Sequence, residues 1–197
     1  MHFTLPLAAL MYVLTGGPAV GKTSIINELE KQGEVTVPEA ATDWIASRLE
    51  AGIAEFWKEE DINYNIVQLQ LEREKPLITK PGRVFIDRGI FDTFTYMAQF
   101  SLAGSRELAK INQAVNAFDL NKHYAAVFLI LPYREDFAPI KDEIRIEDER
   151  AFYEIQASLY TTYCRHKHFI PVPGNLSPKE RAGYILDAIE RIENGSH

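Results

Sequence analysis

Cysteine is almost absent. Cys164 is the single one in 197 residues, so no intramolecular disulfide can staple the chain, and a reducing compartment suits it. No charged cluster surrounds that thiol, and its helical neighbourhood predicts a packed core position. No run of five or more basic residues occurs, and the net charge is −7 with a pI near 5.3. That balance excludes a broad nucleic-acid-binding surface. No apolar stretch approaches the roughly 18–20 residues needed to cross a bilayer, so no membrane partner is expected. The opening segment from His2 to Leu14 contains no Lys or Arg and therefore lacks the charged start of a secretory signal. A short extension leading into a first strand is expected there, together with a cytoplasmic location. Internal repeats and low-complexity tracts are missing as well. The final Gly195-Ser196-His197 has the composition of an expression scar and is set aside from the fold.

What is present is an apolar fraction of 46%, enough for a sizeable core. The length suits one full α/β domain rather than two. Five short apolar runs, Leu10–Leu14, Glu34–Val37, Arg83–Ile86, Ala125–Leu131 and Phe169–Val172, alternate with helical patterns. Continuous apolar runs bounded by turn residues suit strands buried on both faces of a parallel sheet. Helices are predicted from Thr23 to Lys31, twice between Trp44 and Glu74 with a break near Gly52, and twice between Phe91 and Phe118 around Gly104. A further one runs from Glu149 to Arg165, with Phe152, Ile155, Leu159, Tyr160 and Tyr163 as its apolar stripe. The last opens on Ser177-Pro178-Lys179-Glu180, a capping box with Pro at the first helical position. The pattern predicts a doubly wound five-stranded parallel sheet in a single domain.

The densest signal is Gly16-Gly17-Pro18-Ala19-Val20-Gly21-Lys22-Thr23, which fits G-x-x-x-x-G-K-[ST] between a predicted strand and a predicted helix. Such a loop turns successive backbone N–H groups toward a polyphosphate, and the helix behind it adds a favourable dipole. Residues 16–23, followed by Ser24, are therefore the expected nucleotide-binding segment. Lys22 should reach the β- and γ-phosphates, and the Thr23 hydroxyl should ligate magnesium. ATP and Mg2+ are the expected donor pair.

In an open parallel sheet, ligands collect beyond the carboxyl ends of the strands. Two further strand ends carry chemistry. Val84-Phe85-Ile86-Asp87 reads as a Walker B strand whose Asp87 would hold magnesium directly or through water. Arg88 offers a planar fork of donors beside it; a plain helix-capping Asp with a surface Arg is the alternative. Glu39, after the second strand, could accept the proton of an attacking hydroxyl. Its position alone equally fits a solvent-facing Glu after Pro38. Between 40 and 76 lie eight acidic and four basic residues, a wall better suited to an uncharged or cationic hydroxyl compound than to a phosphorylated one. Trp44, Phe56, Trp57 and Tyr64 could stack on a ring, although core packing suits most of them better. Gln68 and Gln70 are candidates for reading a base edge. Residues 133–150 form a candidate lid carrying Arg134, Lys141, Arg145 and Arg150. Arg145 is the catalytic candidate and Arg150 the phosphate-binding one, with surface ion pairing as the alternative. The Pro173-Gly174-Asn175 turn is a candidate surface for adenine.

Taken together, Thr15 through Thr23, Val37-Pro38-Glu39-Ala40-Ala41, Phe85-Ile86-Asp87-Arg88-Gly89, Ile144-Arg145-Ile146-Glu147-Asp148 and Ser177-Pro178-Lys179-Glu180-Arg181 resemble a known family. It is the P-loop kinase family that includes the ribosylnicotinamide kinase domain of bacterial NAD-metabolism regulators and related AAA-labelled ATP-binding proteins. The resemblance spans nearly the whole chain and implies a P-loop NTPase fold of the nucleoside and nucleotide kinase type. It also implies phosphoryl transfer from ATP to a nucleoside-like hydroxyl acceptor, with Glu39 as the acceptor-side carboxylate. One departure is visible: the lid reads Asp142-Glu143-Ile144-Arg145 in place of an Asp-Gly-x-Arg turn. A P-loop ATPase or nucleotide-dependent switch acting through a protein partner is the rival reading. A GTPase is disfavoured because Asn121-Lys122 is not followed by the Asp that guanine recognition needs.

Overall fold

A computed structural model describes residues 9–99, 105–132 and 149–195. Its five strands are β1 (Leu10–Thr15), β2 (Val35–Val37), β3 (Arg83–Asp87), β4 (Ala126–Ile130) and β5 (Phe169–Val172). They form one sheet in the order β2-β3-β1-β4-β5, every neighbouring pair parallel. This is the predicted doubly wound sheet, with each strand within two residues of its expected bounds. β1 lies at the centre, in register with Arg83 to Asp87 on one side and Ala126 to Leu129 on the other. The loops that follow β1, β2 and β3 therefore open on one edge of the sheet.

The helices are α1 (Lys22–Lys31), α2 (Ala40–Glu50), α3 (Ile62–Glu74), α4 (Asp92–Gln99), α5 (Ser105–Val115), α6 (Leu120–His123), α7 (Glu149–Tyr163) and α8 (Pro178–Glu193). A 3-10 turn at Phe56–Lys58 joins α2 to α3. The period-two alternation of strand side chains splits the core into two layers. Met11 and Val13 of β1 join Val127 and Leu129 of β4 beneath α3, α5 and α7. Tyr12 and Leu14 join Phe85, Ala126, Phe128 and Ile130 beneath α1 and α8. Phe152 is an exception among α7 residues, because it reaches the second layer under the β1–α1 loop.

Two sequence expectations fail here. On α7, Phe152, Ile155, Leu159 and Tyr163 are fully buried, but Tyr160 is 52% exposed and meets Phe169 edge-on. One residue beyond Leu159 rotates it about 100° off the stripe. Cys164 lies just past the last turn of α7 and is exposed, with Sγ 3.6 Å from the Thr161 carbonyl. It is not a core residue. Among the described residues no helix is long and apolar enough to cross a membrane. The candidate lid, apart from Glu149 and Arg150, lies outside the described residues.

Candidate active site

The β1–α1 loop curls because three of its residues leave the right-handed region. Gly16 has φ 146°, Ala19 φ 57° and Gly21 φ 90°. A Cβ on Gly16 would lie 2.7 Å from the Ile130 carbonyl, and one on Gly17 2.7 Å from the Phe152 ring. Both positions demand glycine for space, and Gly16 for its backbone as well. Ala19 holds a left-handed conformation that costs about 1–2 kcal/mol in an L-residue, a strain of the kind that concentrates at functional loops. The loop's shape is fixed from outside. Gln156 of α7 accepts from the Gly17 N–H at 2.6 Å and donates to the Ile130 carbonyl at 3.1 Å. Arg181 of α8, itself buried, donates to the Val20 carbonyl at 2.8 Å and to the Gly174 carbonyl.

Lys22 folds inward, its Nζ donating to the Gly16 and Gly17 carbonyls at 3.0 and 2.9 Å. Burial, assisted by the positive Arg88, pulls its pKa down to about 8. Pro18 and Val20 are buried, Ala19 half-buried, and Thr23 and Ser24 exposed at the mouth on the first turn of α1. Thr23 Oγ1 lies 3.3 Å from Asp87 Oδ2. The other carboxylate oxygen of Asp87 is buried without a hydrogen-bond partner among the described residues, and burial raises the pKa of this group.

That orphaned oxygen beside a threonine hydroxyl fits a hard divalent cation. Among the described residues no group of three His, Cys, Asp or Glu could hold a metal unaided. Two protein oxygens are what a phosphate-borne magnesium requires, since phosphate and water complete its shell.

β3 continues from Asp87 into Arg88, whose left-handed φ of 68° and N–H bond to the Leu14 carbonyl at 3.0 Å turn the chain across the end of β1. Its Nε donates to Glu39 Oε1 at 2.6 Å, and its Nη1 donates to the Gly16 carbonyl at 3.2 Å and Asp92 Oδ2 at 3.4 Å. The guanidinium also lies 4.9 Å from the centre of the Tyr96 ring. Nη2 has no partner among the described residues. Glu39, the N-cap residue of α2, accepts from Thr42 Oγ1 at 3.0 Å through its second oxygen. Burial pushes this carboxyl up, but Arg88 and then Lys22 outweigh it and hold the pKa at about 2. Glu39 is thus ionised at every physiological pH.

The sequence-predicted groups therefore converge: the 16–23 loop with its Lys22 and Thr23, then Asp87, Arg88 and Glu39. Arg150 sits at the exposed start of α7 and donates to Glu154 Oε1 at 2.8 Å; Arg145 lies outside the described residues. Gln70 is buried and bonded to Glu74 at 2.6 Å, so it reads no base edge. Trp44 is buried under Arg48, whereas Trp57 is 60% exposed rather than in the core. Sequence reasoning missed Thr15, Asp92, Gln156 and Arg181, and read Tyr163 only as core. Arg181 did leave a signal: it falls four residues before Ile185 and eight before Ile189, on the apolar stripe of α8.

A family model described as an AAA domain matches residues 11–181. No curated protein matches the sequence. Among solved structures, the chain is similar to deoxyadenosine kinase from M. mycoides with bound dATP, at 14% identity and a TM-score of 0.64. That likeness covers 92% of this chain and 99% of the kinase. It is also similar to NadR in complex with NR, at 14% identity and a TM-score of 0.65, over 93% of this chain. The chain spans about half of NadR, 49% of its length. At these identities the likeness establishes the P-loop nucleoside-kinase fold.

Proposed function

The chain belongs to the AAA-domain family whose model it matches, and on that premise we propose that it is an ATP- and magnesium-dependent kinase acting on the hydroxyl of a nucleoside-like acceptor. The observation that carries this reading is the Glu39–Arg88 pair, 2.6 Å apart and largely buried beside Lys22 and the phosphate loop. A carboxylate held ionised next to the γ-phosphate position is what a hydroxyl nucleophile needs and a simple nucleotide-binding loop does not. The neighbours' names point the same way, since both similar proteins carry nucleosides or nucleotides.

The chemistry assigned to the residues is in-line transfer. The acceptor oxygen forms a bond to Pγ as the bond from Pγ to the β-bridging oxygen breaks, and ADP leaves. Glu39 orients the hydroxyl and takes its proton late, when the new P–O bond makes that oxygen strongly acidic. Lys22 leaves the Gly16 and Gly17 carbonyls for the phosphate oxygens and stabilises the charge that migrates toward ADP. Arg88 supplies Nη2 to an acceptor or phosphoryl oxygen. Thr23 and Asp87 would hold magnesium, which neutralises the β- and γ-phosphates when bound.

The test is ADP release from Mg-ATP with nicotinamide riboside, ribo- and deoxynucleosides and their monophosphates, with products identified by mass. Stimulation by an acceptor that gains one phosphate supports the reading. Glu39→Gln is expected to abolish that transfer while ATP affinity stays within about twofold, because the lost group serves the acceptor. Slow release indifferent to every acceptor would favour an ATPase or switch working through a protein partner.

A further inference from the structure

Arg88 stands between two carboxylates, and only one of them has been given work. Asp92, on the first turn of α4, is 3% exposed and accepts three hydrogen bonds. Thr15 Oγ1 donates to its Oδ2 at 2.9 Å, Arg88 Nη1 reaches the same oxygen at 3.4 Å, and the Tyr163 hydroxyl donates to Oδ1 at 2.6 Å. We propose that Asp92 is the positioning residue of the acceptor half of the site, holding the Arg88 guanidinium in register with the phosphate loop while Glu39 serves the acceptor. Its catalytic consequence rests on the kinase reading above; its structural content does not.

Three features of the geometry carry this. First, the two carboxylates grip different edges of one planar group: Glu39 at Nε, Asp92 at Nη1. Asp92 adds a charged partner at Nη1 beside the Gly16 carbonyl, and charged contacts at two edges hold the plane against rotation. Second, Asp92 is anchored on both sides of the site. Thr15 is the last residue of β1, directly before Gly16, and the Gly16 carbonyl takes both Arg88 Nη1 and Lys22 Nζ. Tyr163 belongs to α7, the helix whose Gln156 and Phe152 abut Gly17. The guanidinium is therefore tied to the same frame that shapes the phosphate loop. Third, Glu39 must turn an oxygen toward the acceptor during the reaction. The Gly16 carbonyl at 3.2 Å and the Tyr96 ring also touch Arg88, but Asp92 is the charged partner that stays in place when Glu39 turns and so keeps Nη2 aimed. Asp92 faces the buried side, where no acceptor displaces it.

The local packing leaves room for little else at this corner. A Cβ on Gly89 would lie 2.8 Å from the Tyr163 hydroxyl and 3.0 Å from that of Tyr124. The turn that swings Arg88 over the sheet edge thus runs directly against the tyrosine that anchors Asp92. Thr15 and Asp92 are 77 positions apart and Tyr163 is 71 from Asp92, so the assembly exists only in the folded chain.

The experiment uses Asp92→Asn, which keeps the shape and removes the charge, beside Tyr163→Phe, which strips the bond to Oδ1 but leaves Oδ2 on Thr15 and Arg88. Hydrogen exchange at the Arg88 Nε–H, followed by NMR in the unliganded protein, reads the guanidinium without any turnover. Asp92→Asn is expected to speed that exchange at least about tenfold, and Tyr163→Phe to leave it within about threefold. In turnover, Asp92→Asn is expected to lower kcat/KM for the acceptor by about 10–100-fold with ATP affinity within about twofold, as a misplaced group does. In an Arg88→Lys background the same change should add less than about twofold, because residues acting through one another are not additive. Unchanged Nε–H exchange in a folded Asp92→Asn protein overturns the proposal, as does an equal loss in both backgrounds. Should the wild type phosphorylate no acceptor, the kinase reading fails and the exchange result still decides the role of Asp92.

Discussion

Lys22 shows how a single residue links burial to ligand binding. Its folded pKa of about 8 lies below the ordinary 10.5, with burial as the main cause and Arg88 second. Between those two values the unfolded chain holds the proton and the folded chain does not. Stability therefore rises with pH across that window, and the cost of burying the charge is fully present below it. A polyphosphate reverses the balance by bringing negative charge to Nζ, which restores the ammonium. ATP binding at pH 8.5 should thus take up a fraction of a proton, and affinity should fall as pH climbs past about 8. Calorimetry at that pH in two buffers of different ionisation enthalpy checks this: the binding heats should differ for the wild type and coincide for Lys22→Ala. Identical heats for the wild type would remove Lys22 from the phosphate site. In turnover, Lys22→Ala should cost about 10²–10³, the scale of losing one preorganised charge donor in the transition state.

Between elements, the telling connection is Arg181, through which α8 supports a loop 161 positions away. The Ser177–Glu180 capping box starts α8, with Ser177 N–H donating to Glu180 at 2.8 Å and Glu180 N–H donating to Ser177 Oγ at 3.3 Å. One residue later Arg181 closes on the Val20 and Gly174 carbonyls. Arg181→Leu preserves the apolar stem and removes both donors. One buried and one part-buried carbonyl left without this donor should lower stability by about 1–3 kcal/mol, read as a reduced urea midpoint with unchanged slope. ATP affinity should fall with it, because Val20 lies within the phosphate loop; a full loss of stability with native affinity would make the clasp purely structural. The same contrast explains what was legible in the chain. The 16–23 loop is written in eight consecutive residues because its shape lies in the backbone, and Asp87 and Arg88 follow from being at a strand end. Thr15, Asp92, Gln156 and Arg181 act across 77 to 161 positions, or 139 for Gln156 with Gly17. No local pattern encodes such meetings, and only the position of Arg181 on an apolar stripe hinted at one. Tyr160 and Cys164 differ from expectation for the opposite reason: Tyr160 lies one residue off the buried stripe of α7 and Cys164 one residue past the end of the helix.

For the molecule as a whole, the charges gathered at the sheet edge pull stability in opposite directions. Burial raises the pKa values of Asp87 and Asp92, so the folded chain keeps their protons to higher pH than the unfolded one. Stability contributed by these two groups therefore falls as pH rises from the ordinary carboxylate value of 3.8 through each folded pKa. Glu39 runs the other way, lowered from 4.5 to about 2, and its contribution is present above 4.5 and lost as pH falls through that interval. Asp87 is the extreme case, with Oδ1 buried and unpartnered among the described residues, a cost that a cation bound there would relieve. Asp87→Asn should then raise the melting temperature of the unliganded protein by about 2–4 °C, the equivalent of about 1 kcal/mol in a chain of this size. The wild type should gain more from Mg-ATP, about 2.7 kcal/mol at a hundredfold excess over Kd, while the variant should gain nothing further when magnesium is added to ATP. Thermal melts of both proteins with ATP alone, Mg2+ alone and the two together separate the cases. A variant less stable than the wild type in every condition would make Asp87 a structural residue. A variant more stable when empty, and blind to magnesium, would identify the sheet edge as a site whose folding cost is recovered only when its ligands bind.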